Sequence, residues 1–263
     1  MKLQNAFVCY LDLLGVKNKT GRGTLKELNA QVELLGSFMR EIQRRQTGYA
    51  RNISMGECNS YIKVFSDNIV LVMPLKIKDK VDSAHRFSIL LKSIEEVLSE
   101  ASFAGLLIRG GISYGKAICN DFMVAGDALI KAYNIESKIS KYPRVVIDRS
   151  IGELIEEVPY KVAKDLDGEL FFHYLYDASE SYLGFNKRHV ENCIKNTGQD
   201  IFKYIEKYRW LIDYHNACCK EKDSLLMIDP SIIGTIELQT KISTVGWAKL
   251  AQPNVYCDKQ PPD

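Results

Sequence analysis

Two kinds of hydrophobic pattern alternate along this chain: short apolar blocks, and longer stretches that repeat every three or four residues. Ala6 to Leu14 (AFVCYLDLL) is a short aliphatic and aromatic run, which predicts a buried strand ending near Asp12. Gly15 and the polar KNKTGRG after it predict a loop. From Leu25 to Gln46 the apolar positions Leu28, Val32, Leu35, Phe38 and Ile42 fall on one helical face. The polar TGYARNISMGECNS then reads as another loop. Tyr61 to Val72 (YIKVFSDNIVLV) reads as two strands broken at Ser66-Asp67-Asn68, residue types suited to a tight turn. A second helix is expected from Asp79 to Ser102, with Val81, Phe87, Leu90, Leu91, Ile94 and Leu98 as its apolar stripe. A strand follows over Leu106 to Ser113, running into Tyr114-Gly115. After it come a helix from Ala125 to Lys138 and strands at Arg144–Asp148 and Leu170–Leu175.

That order of elements predicts an α+β protein with a ferredoxin-like core, a mixed sheet covered by helices. The character changes beyond about Asp177. Ser181 to Lys222 reads as one or two helices rich in charge and aromatics (FKYIEKYRWLIDYHN), an appendage for packing or dimerisation. The expected division is therefore 1–177 for the core and 178–263 for a helical extension. Its end, with Pro253, Pro261 and Pro262, is expected to be loosely ordered.

Composition narrows the class. With 263 residues, 46% of them hydrophobic, the chain can bury a sizeable core. Thirty-five Lys and Arg against 33 Asp and Glu leave little net charge, so nothing demands a nucleic-acid or membrane partner. The seven cysteines form no CxxC pair and the adjacent Cys218–Cys219 suit no zinc site, so reduced thiols in the cytoplasm are expected. No apolar segment approaches the roughly 20 residues that span a bilayer. His85, His173, His189 and His215 are scattered and suggest no ligand set.

Two aspartates carry the chemistry. Asp12 interrupts an apolar run, where a carboxylate costs several kcal/mol unless it is paired or bound to a cation. Asp67 ends a strand on which Tyr61, Lys63 and Phe65 share a face by alternation. Either aspartate alone reads equally well as a turn former. Together, at neighbouring strand ends, they suit two divalent ions about 3.5–4 Å apart, the arrangement for in-line displacement at phosphorus.

The segments YLDLLG at 10–15, FSDNIVL at 65–71, RGGISYG at 109–115 and AGDALIKAYNIES at 125–137 follow, in order and spacing, the motifs of class III adenylate and guanylate cyclases. Over roughly residues 6 to 176 the chain resembles that family, and within it the pyrimidine cyclases of the bacterial Pycsar antiphage systems. The resemblance implies a class III cyclase core with a metal set of Asp12, the adjoining Leu13 and Asp67, binding two Mn²⁺ or Mg²⁺ ions. The departures point to the base. Lys63 matches a base-reading lysine, but Met123 stands where purine cyclases carry an adenine-reading aspartate, and Met cannot accept a hydrogen bond from the adenine amino group. Tyr61 narrows the same pocket. The family's transition-state asparagine and arginine fall on Ile130 and Asn134, so Tyr61, Lys63, Met123 and Asn134 are the expected substrate contacts. Candidate cations for the transferring phosphorus are Arg109, Arg144 and Lys164; each reads as well as a strand brace or a solvated charge.

The resemblance thus implies a homodimeric pyrimidine nucleotide cyclase with interface sites, acting on UTP rather than CTP, whose cyclic product a separate effector reads during phage infection. A cyclase-like module that binds a nucleotide without turning it over is the alternative. A structural protein working through its charged C-terminal helix is a third reading.

Overall fold

The computed structural model describes residues 3–14, 33, 36, 37, 40, 60–75, 80–120, 123–155, 161–197 and 201–233. The helix expected over Leu25–Gln46 falls mostly outside these; Glu33, Gly36, Ser37 and Arg40 are helical. The loop expected before Tyr61 and the proline-bearing tail also lie outside the described residues.

Strand β1 (Gln4–Leu14) is the middle of the molecule. It pairs antiparallel with β3 (Asn68–Pro74) on one side and β4 (Leu107–Cys119) on the other. The hairpin strand β2 (Tyr61–Phe65) flanks β3, giving the order β2-β3-β1-β4 of a ferredoxin-like core. The sheet extends through β6 (Val145–Ile147), parallel to β4, and then β8 (Leu170–Phe172) and β7 (Val162–Lys164), while the two-residue β5 (Val124–Ala125) pairs with the end of β4. The α+β class read from the sequence is what the structure has: an eight-stranded mixed sheet covered by helices.

Both faces of β1 are buried, which is why its sequence is nearly continuous in apolar residues. Phe7, Cys9, Leu11 and Leu13 pack with Phe87, Leu90, Leu91 and Ile94 of helix α1 (Lys80–Phe103). Ala6, Val8 and Tyr10 face the opposite side, with Ala128 and Ala132 of helix α2 (Asp127–Asn134). Val81, placed on the α1 stripe from sequence, is exposed, and Val97 and Ala101 are buried instead. Strand β4 runs further than expected because β1 begins at Gln4 and keeps pairing as far as Ala117. Ala125 belongs to β5, and α2 starts after Gly126, whose φ of 134° no helix accepts. Its last turns widen into a π-helical segment, Ile135–Ile139.

Helix α2 lies unusually close to β4. A Cβ on Gly111 would sit 2.6 Å from the Ala132 carbonyl oxygen and 2.7 Å from Ile135 Cβ; one on Gly115 would sit 2.6 Å from Asp127 Oδ2. Between them, Ser113 Oγ donates to the Ala128 carbonyl at 2.6 Å. Gly110 and Gly111 allow close approach of backbone, and Gly115 leaves room for the Asp127 carboxylate.

Two C-terminal helices, α3 (Glu180–Thr197) and α4 (Ile201–Glu221), pack against each other and on the sheet. Helix α4 crosses the strand ends. Tyr204, Tyr208 and Leu211 share a cluster with Leu107 of β4, and Tyr214 packs on Phe171 of β8. Its hydroxyl hydrogen-bonds His173 Nδ1 at 2.9 Å and accepts from the Leu175 amide at 3.0 Å. The five described cysteines are free thiols, and no helix among the described residues is long and apolar enough to cross a membrane.

Gly111→Ala should cost about 1–3 kcal/mol, because the added methyl meets backbone that cannot move aside. Gly152→Ala, with nothing within 4 Å of the new methyl, is the control. Thermal melts of both variants check it.

Burial pushes the His189 imidazole down to about 4. The unfolded chain, with an ordinary histidine, then binds a proton the folded chain refuses. Stability contributed by neutral His189 is present above pH 6.5 and is lost as pH falls toward 4. NMR titration of the imidazole signals should find His189 near 4, and His189→Gln should flatten the acid limb of the stability curve between those limits.

Candidate active site at the ends of the central strands

Asp12 comes two residues after Tyr10, so alternation puts it on the α2 face of β1, where the strand leaves the core. Its sheet neighbours are Asn68 on β3 and Arg109 on β4. Asp67 sits in the two-residue tip between Phe65 and Asn68, with Ser66 in the left-handed region at φ 55°. The Leu13 amide donates to the Asp67 carbonyl at 2.9 Å, tying the hairpin tip to the end of β1. As a result Asp67 is only 3% exposed, and Asn68 Nδ2 donates to its Oδ1 at 3.0 Å. The two expected metal aspartates therefore stand on neighbouring strand ends, and Leu13 joins them through its backbone.

Arg109 lies directly across from Asp12. Its Nε donates to Asp12 Oδ2 at 3.3 Å, and its Nη2 lies 2.8 Å from Glu136 Oε1. Glu136 projects from the π-helical segment and is 3% exposed. Sequence reading missed it, though the signal was there: Ala128, Ala132 and Glu136 recur every four residues along the buried face of the helix. Tyr10 packs among these groups, edge-on to Tyr133 with centroids 5.4 Å apart. Burial first, then the charges of Glu136, Asp12 and Asp67, push its phenol up to about 12.

Helix α4 adds a second cation that the sequence did not suggest. Half-buried Lys207 is held below the ordinary lysine range by burial and by the Arg109 guanidinium, with Asp12 acting against both. Three acids and two bases from five elements thus share one strand-end region. Nothing local in the sequence joins Lys207 to Asp12; packing of α4 over Leu107 does.

The other expected residues scatter. Lys63 and Tyr61 pair with Val70 and Val72 on the face that carries Tyr10 and Asp12, and Tyr61 is half-buried beside that cluster. Asn134 is half-buried at the end of α2, whereas Ile130 is 62% exposed. Met123 is 44% exposed next to β5, which pairs with Cys119, ten residues along β4 from Arg109. At about 3.3 Å per residue that is on the order of 30 Å, so Met123 and Asp12 of one chain cannot line one pocket. Lys164 is exposed on β7, four strands from β1.

Arg144 differs most from expectation. The sheet register puts it two strands from Asp12, but its side chain is fully buried and ion-paired with Asp165 and Asp167. Trp210 Nε1 donates to Asp165 Oδ2 at 2.7 Å, and the Trp210 ring stacks on Tyr142, over which Arg144 also lies. Two carboxylates neutralise this guanidinium inside the fold, so it braces the β7–β8 hairpin and α4.

The donor set suits a hard divalent ion: two carboxylates from neighbouring strand ends, one of them buried. Among the described residues no group of three or more His, Cys, Asp or Glu is gathered tightly enough to hold a metal ion alone. Mg²⁺ and Mn²⁺ are commonly held by one or two carboxylates, with phosphate oxygens and water completing the shell.

The chain matches no protein-family model and no curated protein. Among solved structures it is similar to a bacterial light-regulated adenylyl cyclase, at 14% identity over 65% of this chain and 51% of that one, TM-score 0.43. A class III adenylyl cyclase-like ATP-binding protein from Pseudomonas aeruginosa overlaps 69% of this chain and 41% of its own length, at 13% identity and TM-score 0.43. An adenylate/guanylate cyclase/hydrolase from Silicibacter pomeroyi covers 65% of this chain and 95% of its own, at 13% identity and TM-score 0.34. The chain spans about half the length of the first of these and less of the second. Overlaps this loose assign no activity, and the functional argument rests on the site itself.

Removing one partner of a buried ion pair typically costs about 3–5 kcal/mol. Arg144→Met should therefore lower the melting temperature by about 10 °C, while Lys164→Ala, an exposed edge position, leaves it unchanged. Differential scanning calorimetry on the two variants separates a brace from a solvated charge.

Proposed function

We propose that the chain is a divalent-metal-dependent nucleotide cyclase acting on a pyrimidine nucleoside triphosphate, UTP in preference to CTP. The observation that supports this reading is the pair Asp12 and Asp67 on neighbouring strand ends of a ferredoxin-like sheet, where the Leu13 amide donates to the Asp67 carbonyl. In the reaction the 3′-oxygen of the substrate forms a bond to the α-phosphorus, the bond from that phosphorus to pyrophosphate breaks, and the hydroxyl proton passes to solvent. Bound Mg²⁺ or Mn²⁺ lowers the pKa of the 3′-hydroxyl and neutralises charge on the triphosphate. Asp12 and Asp67 hold the ions, and Lys207 supplies a cation toward the phosphates. Tyr61 and Lys63 bound the base, and Asn134 stands at the mouth of the site.

A homodimer belongs to this reading for a geometric reason. Met123, the residue that replaces an adenine reader, lies at the opposite end of β4 from Asp12, so it reaches a base held beside Asp12 only from a second copy of the chain. The surface beside the site suits such packing. Phe65, Ile130 and Tyr133 are exposed, and the rings of Phe65 and Tyr133 both flank Tyr10. The resemblance of the sequence to pyrimidine cyclases supports a cytoplasmic antiphage role, with the cyclic product read by a separate effector.

The test is to incubate the purified chain with each of the four ribonucleoside triphosphates and Mn²⁺ and to identify the products. One dominant cyclic pyrimidine nucleotide is expected, abolished by Asp12→Ala and by Asp67→Ala. Mixing Asp67→Ala chains with chains altered in α2 should restore part of the activity. A preference for ATP or GTP rejects the base assignment, and either aspartate variant within tenfold of wild type rejects the two-metal assignment.

A further inference from the structure

A small cavity lies where the core meets the two C-terminal helices. Leu107 of β4 and Leu211 of α4 line it, and its polar lining comes from Ser102 of α1, Tyr174 just beyond β8, and Asn186 and His189 on α3. Spaced by three residues, Asn186 and His189 share one face of their helix, and both are more than nine-tenths buried.

These polar groups keep hydrogen-bonding capacity that no protein atom uses. Burial holds the His215 imidazole neutral. The Leu226 carbonyl oxygen, 2.9 Å from His215 Nε2, can only accept, so that nitrogen carries the proton. His215 Nδ1 therefore accepts from Asn186 Nδ2 at 3.0 Å, which fixes the orientation of the amide. Asn186 Oδ1 is left with no hydrogen bond among the described residues. Ser102 Oγ donates to the Leu98 carbonyl at 2.9 Å, so its lone pairs remain to accept. The His189 ring has one polar neighbour, Cys193 Sγ, 3.8 Å from Nδ1 and 3.9 Å from Nε2. A single thiol proton cannot serve both nitrogens, and the same sulfur reaches the Gly105 carbonyl at 3.7 Å. A buried acceptor left in this state is costly.

We propose that the cavity is a hydration site, holding about two ordered water molecules that donate to Asn186 Oδ1 and Ser102 Oγ and bond the His189 ring. Size agrees: the space open to the centres of water molecules is about 30 Å³, and each water needs roughly 10–15 Å³. Polarity agrees as well, because two acceptors ask for a ligand with at least two donors. The ligand is neutral. None of the described residues lining the cavity is charged at neutral pH, since burial pushes His189 down to about 4, so an ion would bring charge that nothing there offsets. The waters join α1 to α3 across a boundary whose other lining is mostly aliphatic. This site is separate from the strand-end aspartates and does not depend on the metal reading of Asp12 and Asp67.

Oxygen-17 relaxation dispersion of the water signal, measured on the full chain, reports long-lived internal waters and is blind to exchanging hydroxyl protons. Ser102→Leu puts an aliphatic side chain where the hydroxyl stood and should remove the contribution of the pair. Lys164→Leu, at an exposed edge position, should leave the dispersion as in wild type. A second measurement uses wild type alone and holds even if Ser102→Leu does not fold. Under xenon pressure the methyl resonances of Leu107 and Leu211 should stay in place, because a dry apolar cavity takes up the gas and a hydrated one does not. Methyl shifts with xenon overturn the proposal, as does wild type without dispersion or a folded Ser102→Leu with dispersion undiminished. Nucleotide turnover enters neither readout, so these outcomes leave the cyclase reading where it stands.

Discussion

Helix α2 lies against strand β4 with only small side chains between them, and most of the candidate site depends on that distance. Gly111 and Gly115 leave room for the Ala132 carbonyl and for Asp127, and Ser113 spends its hydroxyl on the Ala128 carbonyl. Because the helix is this close, its buried face advances by four-residue steps from Ala128 to Ala132 to Glu136, and the last step delivers a carboxylate to Arg109. A methyl group on Gly111 pushes the helix outward and with it the Glu136 carboxylate beside Arg109. Stability and site geometry are coupled at one backbone contact.

The same end of the sheet holds two arginines that end in different states. Arg144 is fully enclosed with Asp165 and Asp167, and Trp210 completes the hydrogen bonding of Asp165. In low dielectric that arrangement is unforgiving, since loss of one partner leaves a charge with no solvent to screen it. Arg109 keeps a quarter of its side chain exposed and lies between two acids of unequal burial. A partly solvated pair exchanges partners at modest cost. Identical chemistry thus encloses one residue as a brace and leaves the other open to solvent, and burial decides which.

Sequence pattern was most informative where a period repeats. The nearly unbroken run AFVCYLDLL identified the doubly buried central strand, and Ser66-Asp67-Asn68 located the hairpin tip that carries Asp67. The order of elements led to the ferredoxin-like sheet. Short strands were harder. Val162–Lys164 has too few residues to show alternation, and β4 outruns its apolar block because β1 supplies pairing partners beyond it. Partner identity was not legible at all. Arg109 and Arg144 both stand near the start of a strand and look alike in sequence, and only the tertiary fold brings Glu136 to one and Asp165 with Asp167 to the other.

Lys207 shows why the C-terminal helices belong in any account of this site. Helix α4 contacts two strands and a turn, through Tyr208 and Leu211 at Leu107, Trp210 at Asp165 between β7 and β8, and Tyr214 at Phe171. A helix held at three points has no freedom to slide, so Lys207, one turn before Trp210 and Leu211, is fixed in its approach to Arg109 and Asp12. Its charge opposes Arg109 and favours any anion brought to the strand ends. The segment that reads from sequence as an appendage therefore contributes to the electrostatics of the site. Removing it deletes a cation from the candidate site and also exposes Leu107, Phe171 and the indole-bonded Asp165.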